Sequence, residues 1–154
     1  MAKADETLEG ISTTHALEYY KNHCEFLGYS VEEEDDFSIA CHHPRRDDLR
    51  LILLKQNTSV MAQIVYVFPE KFQNDLIPLY MYANELNRFL VCIKAYIVTN
   101  ENKPPIIALN SVLAGEYSRK NFAIFMDNID YDMTKFHSYP KTHDMWCSEG
   151  EIPF

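Results

Sequence analysis

The stretch from Asp75 to Val98 constrains this chain more than any other, because its apolar period changes partway along it. Leu79, Tyr82, Ala83, Leu86 and Leu90 recur at i, i+3, i+4, i+7 and i+11, one stripe of an amphipathic helix. Further on the period falls to 2, and Val91, Ile93, Ala95 and Ile97 share one face of a strand. The change predicts a helix boundary at Asn87-Arg88, since Asn can take the left-handed conformation that closes a helix. Pro78 falls in the first turn, where a missing N–H costs little. A helix that runs straight into a strand is a packing device.

The rest of the chain supplies the sheet. Ser12-Thr-Thr14 offers caps to a helix carrying Leu17, Tyr20, Cys24 and Leu27, and Gly28 ends it. Tyr29 and Val31 open a short strand, and Glu32–Asp36 is charged enough to predict a solvated turn. Phe37, Ile39, Cys41 and His43 alternate with Ser38, Ala40 and His42, a half-buried strand stopped by Pro44. Arg45–Asp48 predicts the next turn. Leu49–Leu54 and Val60–Phe68 then flank Gln56–Ser59 as a hairpin, and Pro69 closes that group. Beyond the central helix and its strand, Thr99–Lys103 turns into a strand at Pro104–Asn110. Gly115 and Ser118 introduce a last helix with Phe122, Phe125, Met126 and Ile129 on one face. Periodicity fades beyond Tyr131, which predicts a turn-like tail to Phe154.

The order is α-β-β-β-β-α-β-β-α, with hairpin-length connections that require antiparallel pairing. The fold class is therefore α+β: a single antiparallel twisted sheet with helices packed mainly on one face. The expected organisation is a flexible N-terminal segment over 1–12, one α+β domain over 13–135, and a C-terminal tail over 136–154.

Charge narrows the partners. The net charge of −9 is uneven: residues 1–36 hold ten Asp/Glu against two Lys/Arg, while the remainder is close to neutral. An acidic front repels phosphates, which argues against nucleic acid, and it argues against anionic membrane as well. Met1–Ser12 lacks an apolar core of the secretory type, and Lys94 interrupts the longest apolar run well short of a membrane span. Cys24, Cys41, Cys92 and Cys147 are widely and irregularly spaced, the pattern of reduced thiols. A soluble cytoplasmic protein is expected, and the sequon Asn57-Thr-Ser59 is idle in that setting.

Several chemistries are excluded by absence. Gly10, Gly28, Gly115 and Gly150 are the only glycines, so neither a phosphate-cradling loop nor a nucleophile elbow can be written. A metal- or thiol-dependent enzyme would draw on Cys41 and His43 from one strand, with His143 and Cys147 one helical turn apart. The simpler explanation gives Cys41 to the apolar face with Phe37 and Ile39, and His143 to the tail. His23-Cys24 are neighbours on a helix and point about 100° apart, so they do not form a base–thiol pair. No cofactor, metal or catalytic residue is expected. The candidate recognition residues are Asn84, Asn87 and Arg88 at the end of the central helix. For Asn87 and Asn84 the structural alternative is capping and bonding to nearby backbone.

With Asn84-Glu-Leu-Asn87 inside this order of elements, the chain resembles the YbjN family of candidate bacterial regulators. The fold of that family is that of the type III secretion chaperones. The resemblance covers about Thr13 to Tyr131 and departs at the His/Arg-rich turn Cys41–Arg46 and in the tail with Trp146-Cys147. It implies a type III secretion chaperone-like fold and a non-enzymatic protein-binding module, chaperone-like or regulatory, whose partner is another polypeptide. A dedicated homodimeric secretion chaperone for an exported protein is the alternative, because such chaperones are small, acidic and usually dimeric.

Overall fold

The computed structural model describes residues 14–54 and 58–147. The expected caps at Ser12 and Thr13, part of the expected turn at Gln56–Ser59, the segment 1–12 and the last residues 148–154 lie outside the described residues. The elements run α1 (Glu18–Phe26), β1 (Ser30–Asp35), β2 (Ser38–His42), β3 (Leu49–Leu53), β4 (Val60–Val67), α2 (Ile77–Phe89), β5 (Lys94–Val98), β6 (Ile106–Leu113), α3 (Arg119–Ser138) and α4 (Pro140–Trp146). The fold is α+β, with the expected order plus one short helix at its end. No helix among the described residues is long and apolar enough to cross a membrane.

The sheet has six strands in the order β1-β2-β3-β4-β6-β5, and every neighbouring pair is antiparallel. Register divides its side chains between two faces. Ile39, Leu51 and Ala62 align across one face, as do Ile64, Leu109 and Ala95, and all are buried. The helices cover this side with Leu17, Tyr20, Leu79, Tyr82, Leu86, Phe122, Met126 and Phe136, which together with the strands form one core.

Local chemistry sets the helix ends. Gly28 follows α1 with φ +97, which only glycine adopts cheaply, and a Cβ there would come within 3.1 Å of the His43 ring. The Leu17 N–H is accepted by His15 Nδ1 at 3.0 Å. Ser118 caps α3 by accepting the Asn121 N–H at 3.3 Å.

Three expectations are corrected. Glu32–Asp36 is not a turn: Glu32 to Asp35 belong to β1, the first edge strand, where charges tolerate one solvated edge. The helix does not end at Asn87 but runs to Phe89, and β5 begins only at Lys94, leaving Val91 exposed rather than aligned with Ile93. Residues 136–138 and 140–146 are helical rather than turn-like, with Tyr139 extended between them. Met133 and Phe136 extend the buried stripe of Ile129 at +4 and +7 and carry α3 to Ser138. Pro140 then starts α4, whose Met145 and Thr142 are buried.

Candidate functional site

The central helix α2 is apolar on two sides. Leu79, Tyr82, Ala83 and Leu86 face the core, and the Tyr82 hydroxyl bonds to the buried Thr142 hydroxyl. On the opposite side Ile77, Tyr80 and Met81 are 69%, 50% and 56% exposed. Ile77, Met81, Asn84 and Arg88 stand at steps of 4, 3 and 4, which puts them in one line along the helix. The Asn84 and Arg88 side chains are exposed and make no hydrogen bond among the described residues, and the Arg88 charge acts on the neighbouring Glu85 carboxylate. Asn87 is committed otherwise. Its amide accepts the Ala95 N–H and donates to the Ala95 carbonyl, both at 2.8 Å, so it stands in for a neighbouring strand on the outer edge of β5. The helix-capping reading of Asn87 is thereby corrected.

The second surface is the outer face of the sheet, on the side away from the core. One row runs Glu32, Ala40, Arg50, Gln63, Asn110, Lys94 across all six strands. Adjacent rows are more apolar: Val65, Ala108 and Tyr96 in one, Val67, Ile106 and Val98 in the next. Val67 and Val112 remain more than half exposed on this face. Between β1 and β4 the face is hollowed into a shallow trough of about 530 Å³, with Ala40 and Gln63 among its lining and Glu32, His42, Asp48 and Arg50 around them. The charged groups are largely paired. Arg50 donates to both carboxylate oxygens of Glu34 at 2.6 and 2.9 Å, and His42 bonds to Asp48. Asn110 donates to the Tyr96 hydroxyl at 2.8 Å, and its own oxygen is buried without a partner among the described residues.

The remaining candidates are structural in their geometry. The loop after β2 is tied down through Asp47, which accepts from the Tyr66 hydroxyl and pairs with His137 at 2.7 Å, and through Arg46, 3.8 Å from Asp130. Burial pushes the Tyr29 hydroxyl up to about 12, opposed by its hydrogen bond with Arg46. A hydrogen bond with Cys41, reinforced by burial, pushes the Cys24 thiol up and holds it neutral. His23 bonds instead to the Tyr117 hydroxyl at 2.9 Å, so no base–thiol pair forms with Cys24. Cys41 lies in the core, His43 packs on Tyr29, and His143 and Cys147 belong to the end of α4. Among the described residues no group of three or more His, Cys, Asp or Glu could hold a metal ion.

No family model and no curated protein matches the sequence. Solved structures do. YbjN from E. coli, a candidate transcription regulator, superposes with a TM-score of 0.64 over 86% of this chain and 96% of its own, at 14% identity. The fold is that of YbjN. A protein of unassigned function from Methanothermobacter thermautotrophicus matches at a TM-score of 0.54, over 78% of this chain and 92% of its own, at 13% identity. The YbjN fold thus accounts for the arrangement of sheet and helices, and at this identity it speaks to architecture alone.

Asn84 and Arg88, which the sequence singles out, sit at the end of an exposed line whose apolar half sequence reasoning missed. The missed signal was available: Ile77, Tyr80 and Met81 form a second apolar set at helical spacing on a helix whose first set already fills a core face.

Proposed function

We propose that the chain is a non-enzymatic polypeptide-binding module of a regulatory or chaperone-like kind, and that it holds an extended partner segment across the outer face of its sheet. The observation that carries this reading is the roofless side of the sheet, where Val65, Val67 and Tyr96 lie open beside one another. Single exposed apolar residues need no explanation, whereas contiguous ones mark interaction surfaces. The partner segment is basic as well as apolar. The edge of the face is β1, whose Glu32 forms no ion pair among the described residues, and residues 1–36 carry most of the net charge. YbjN is described as a candidate transcription regulator, and an acidic front fits regulation through a protein partner rather than through DNA contact.

The test is a fluorescence anisotropy titration with an extended peptide alternating Lys and Val, against its Glu-for-Lys counterpart. Binding of the basic peptide is expected, weakening as salt is raised, because the screening length falls from about 8 Å at 0.15 M to about 3 Å at 1 M. The double substitution Val65→Ser with Val67→Ser keeps the charge and should remove most of the binding. Equal binding of both peptides, or full retention in the double variant, refutes the reading.

A further inference from the structure

We infer that the β5 end of the open sheet face is a carboxylate subsite, where Lys94 and Tyr96 take an acidic side chain of the captured segment and so set which way that segment lies. The subsite rests on peptide capture by this face and adds the chemistry of its second end.

Among the outward residues of β4, β6 and β5, Lys94 is the only charged one. It is exposed and enters no ion pair among the described residues. Its ammonium lies 5.5 Å from the centre of the Tyr96 ring, which holds the cation over this face. The Tyr96 hydroxyl already accepts an Asn110 amide N–H at 2.8 Å, so its own proton is left to donate. An ammonium over the ring and an O–H at its end are donors without an acceptor, and a carboxylate takes both. Asn110 marks the same spot from beneath. It is 8% exposed, and its oxygen is buried without a donor among the described residues. An acceptor left so is costly, and a backbone N–H of a segment seated here supplies the donor after a small turn of the amide.

The far end of the same row has the opposite sign. Glu32 on β1 forms no ion pair among the described residues, whereas Arg50 between the two ends is held by both carboxylate oxygens of Glu34. The row from Glu32 to Lys94 therefore runs from an acid to a base. Neighbouring strands lie about 4.8 Å apart, so the two ends of a six-strand row are about 24 Å apart. An extended chain covers that distance in about seven or eight residues. The captured segment then carries a base over β1 and an acid about eight positions away, over β5.

The experiment is a fluorescence anisotropy titration with two peptides of about nine residues and blocked termini, long enough to span the row. Both alternate Lys and Val, and each has one Lys replaced by Glu, at the last position in one and at the centre in the other. Length, composition and net charge are therefore equal. The peptide with Glu at its end is expected to bind roughly tenfold tighter, the scale of one charge-assisted hydrogen-bonded pair. Lys94→Glu should abolish that preference and Tyr96→Phe should reduce it, each with far-UV circular dichroism unchanged. Lys94→Met, which keeps the apolar stem, serves as the second variant if the first misfolds. Equal binding of the two peptides, or a preference that survives the loss of the charge at position 94, overturns the proposal and leaves Lys94 as a guard of an edge strand. Failure of both peptides to bind removes the sheet-face reading and the subsite with it, whereas binding without preference removes the subsite alone.

Discussion

Asp132 is the residue on which the central connection turns. It is fully buried on α3, and its carboxylate accepts the N–H groups of Val91, Cys92 and Ile93, the last two at 2.6 and 2.9 Å. Those three donors follow α2, where the chain must leave the helix and enter β5. A carboxylate offers enough lone pairs for all of them, and an amide does not. Each buried donor left unsatisfied costs about 1–3 kcal/mol. Asp132→Ala is expected to lower the urea midpoint more than any exposed substitution, and Asp132→Asn, with one acceptor oxygen left, should fall between. A variant with Ala at 132 that melts like wild type would show that the connection holds itself. The sequence contains the hint. Ile129, Asp132, Met133 and Phe136 lie on one stripe at +3, +4 and +7, and an acid on a buried stripe is there for a partner. What the sequence cannot show is which donors that partner supplies, because they lie some forty positions away.

At the scale of elements, α2 sets a packed face and an exposed face on opposite sides of one helix. Leu86 is fully buried, and Leu86→Ala should cost roughly 2–5 kcal/mol through lost burial and the cavity left behind. Asn84 points to solvent without a bond, so Asn84→Ala should leave the urea midpoint nearly unchanged, or raise it slightly through helix propensity. Paired urea melts decide it: an Asn84→Ala protein as unstable as the Leu86→Ala one would place the helix the other way round. The core side of this helix, the strands β2 to β4 and most of α3 were legible because apolar period alone specifies them. Three things were not. The run Glu32-Glu-Glu-Asp35 reads as a turn by charge, yet an edge strand with one open face has little core to fill. Asn87 looks like a helix cap, and only the fold brings it to the edge of β5. The short α4 has too few residues to show a period, and it is held instead by Trp146 stacked on Phe68 and donating to the Val67 carbonyl.

For the molecule as a whole, acid is the informative stress. The hydrogen bond from Tyr139, followed by that from Lys141, holds the Glu85 carboxyl below its usual range, joining α2 to the last helix. Hydrogen bonding from the backbone N–H of Phe37 does the same for Asp35 at the tip of the β1–β2 hairpin. A carboxyl depressed in the folded state contributes stability that is complete above its ordinary value and fades as pH falls through the folded one. The melting temperature should therefore hold from neutrality to about pH 5 and decline below about pH 4. Glu85→Gln should show a shallower decline, measured by calorimetry across that window; an identical acid limb would mean the pair is worth nothing to the fold.

The strand order carries a last consequence, for how the chain reaches this state in time. β4 and β6 share the longest ladder in the sheet, yet everything from Phe68 to Pro105, including α2 and β5, comes between them. β1 to β4 can zip as successive hairpins, each closing a short loop. The seam between β4 and β6 closes a long one, which costs conformational entropy before any contact repays it. β5 is laid outside β6 and not between the two, so α2 and β5 can settle after that seam without being threaded through it. The slow step of folding is then the meeting of the two halves of the sheet, and the acidic strand β1 guards the outer edge of the waiting half while β4 stays open for β6.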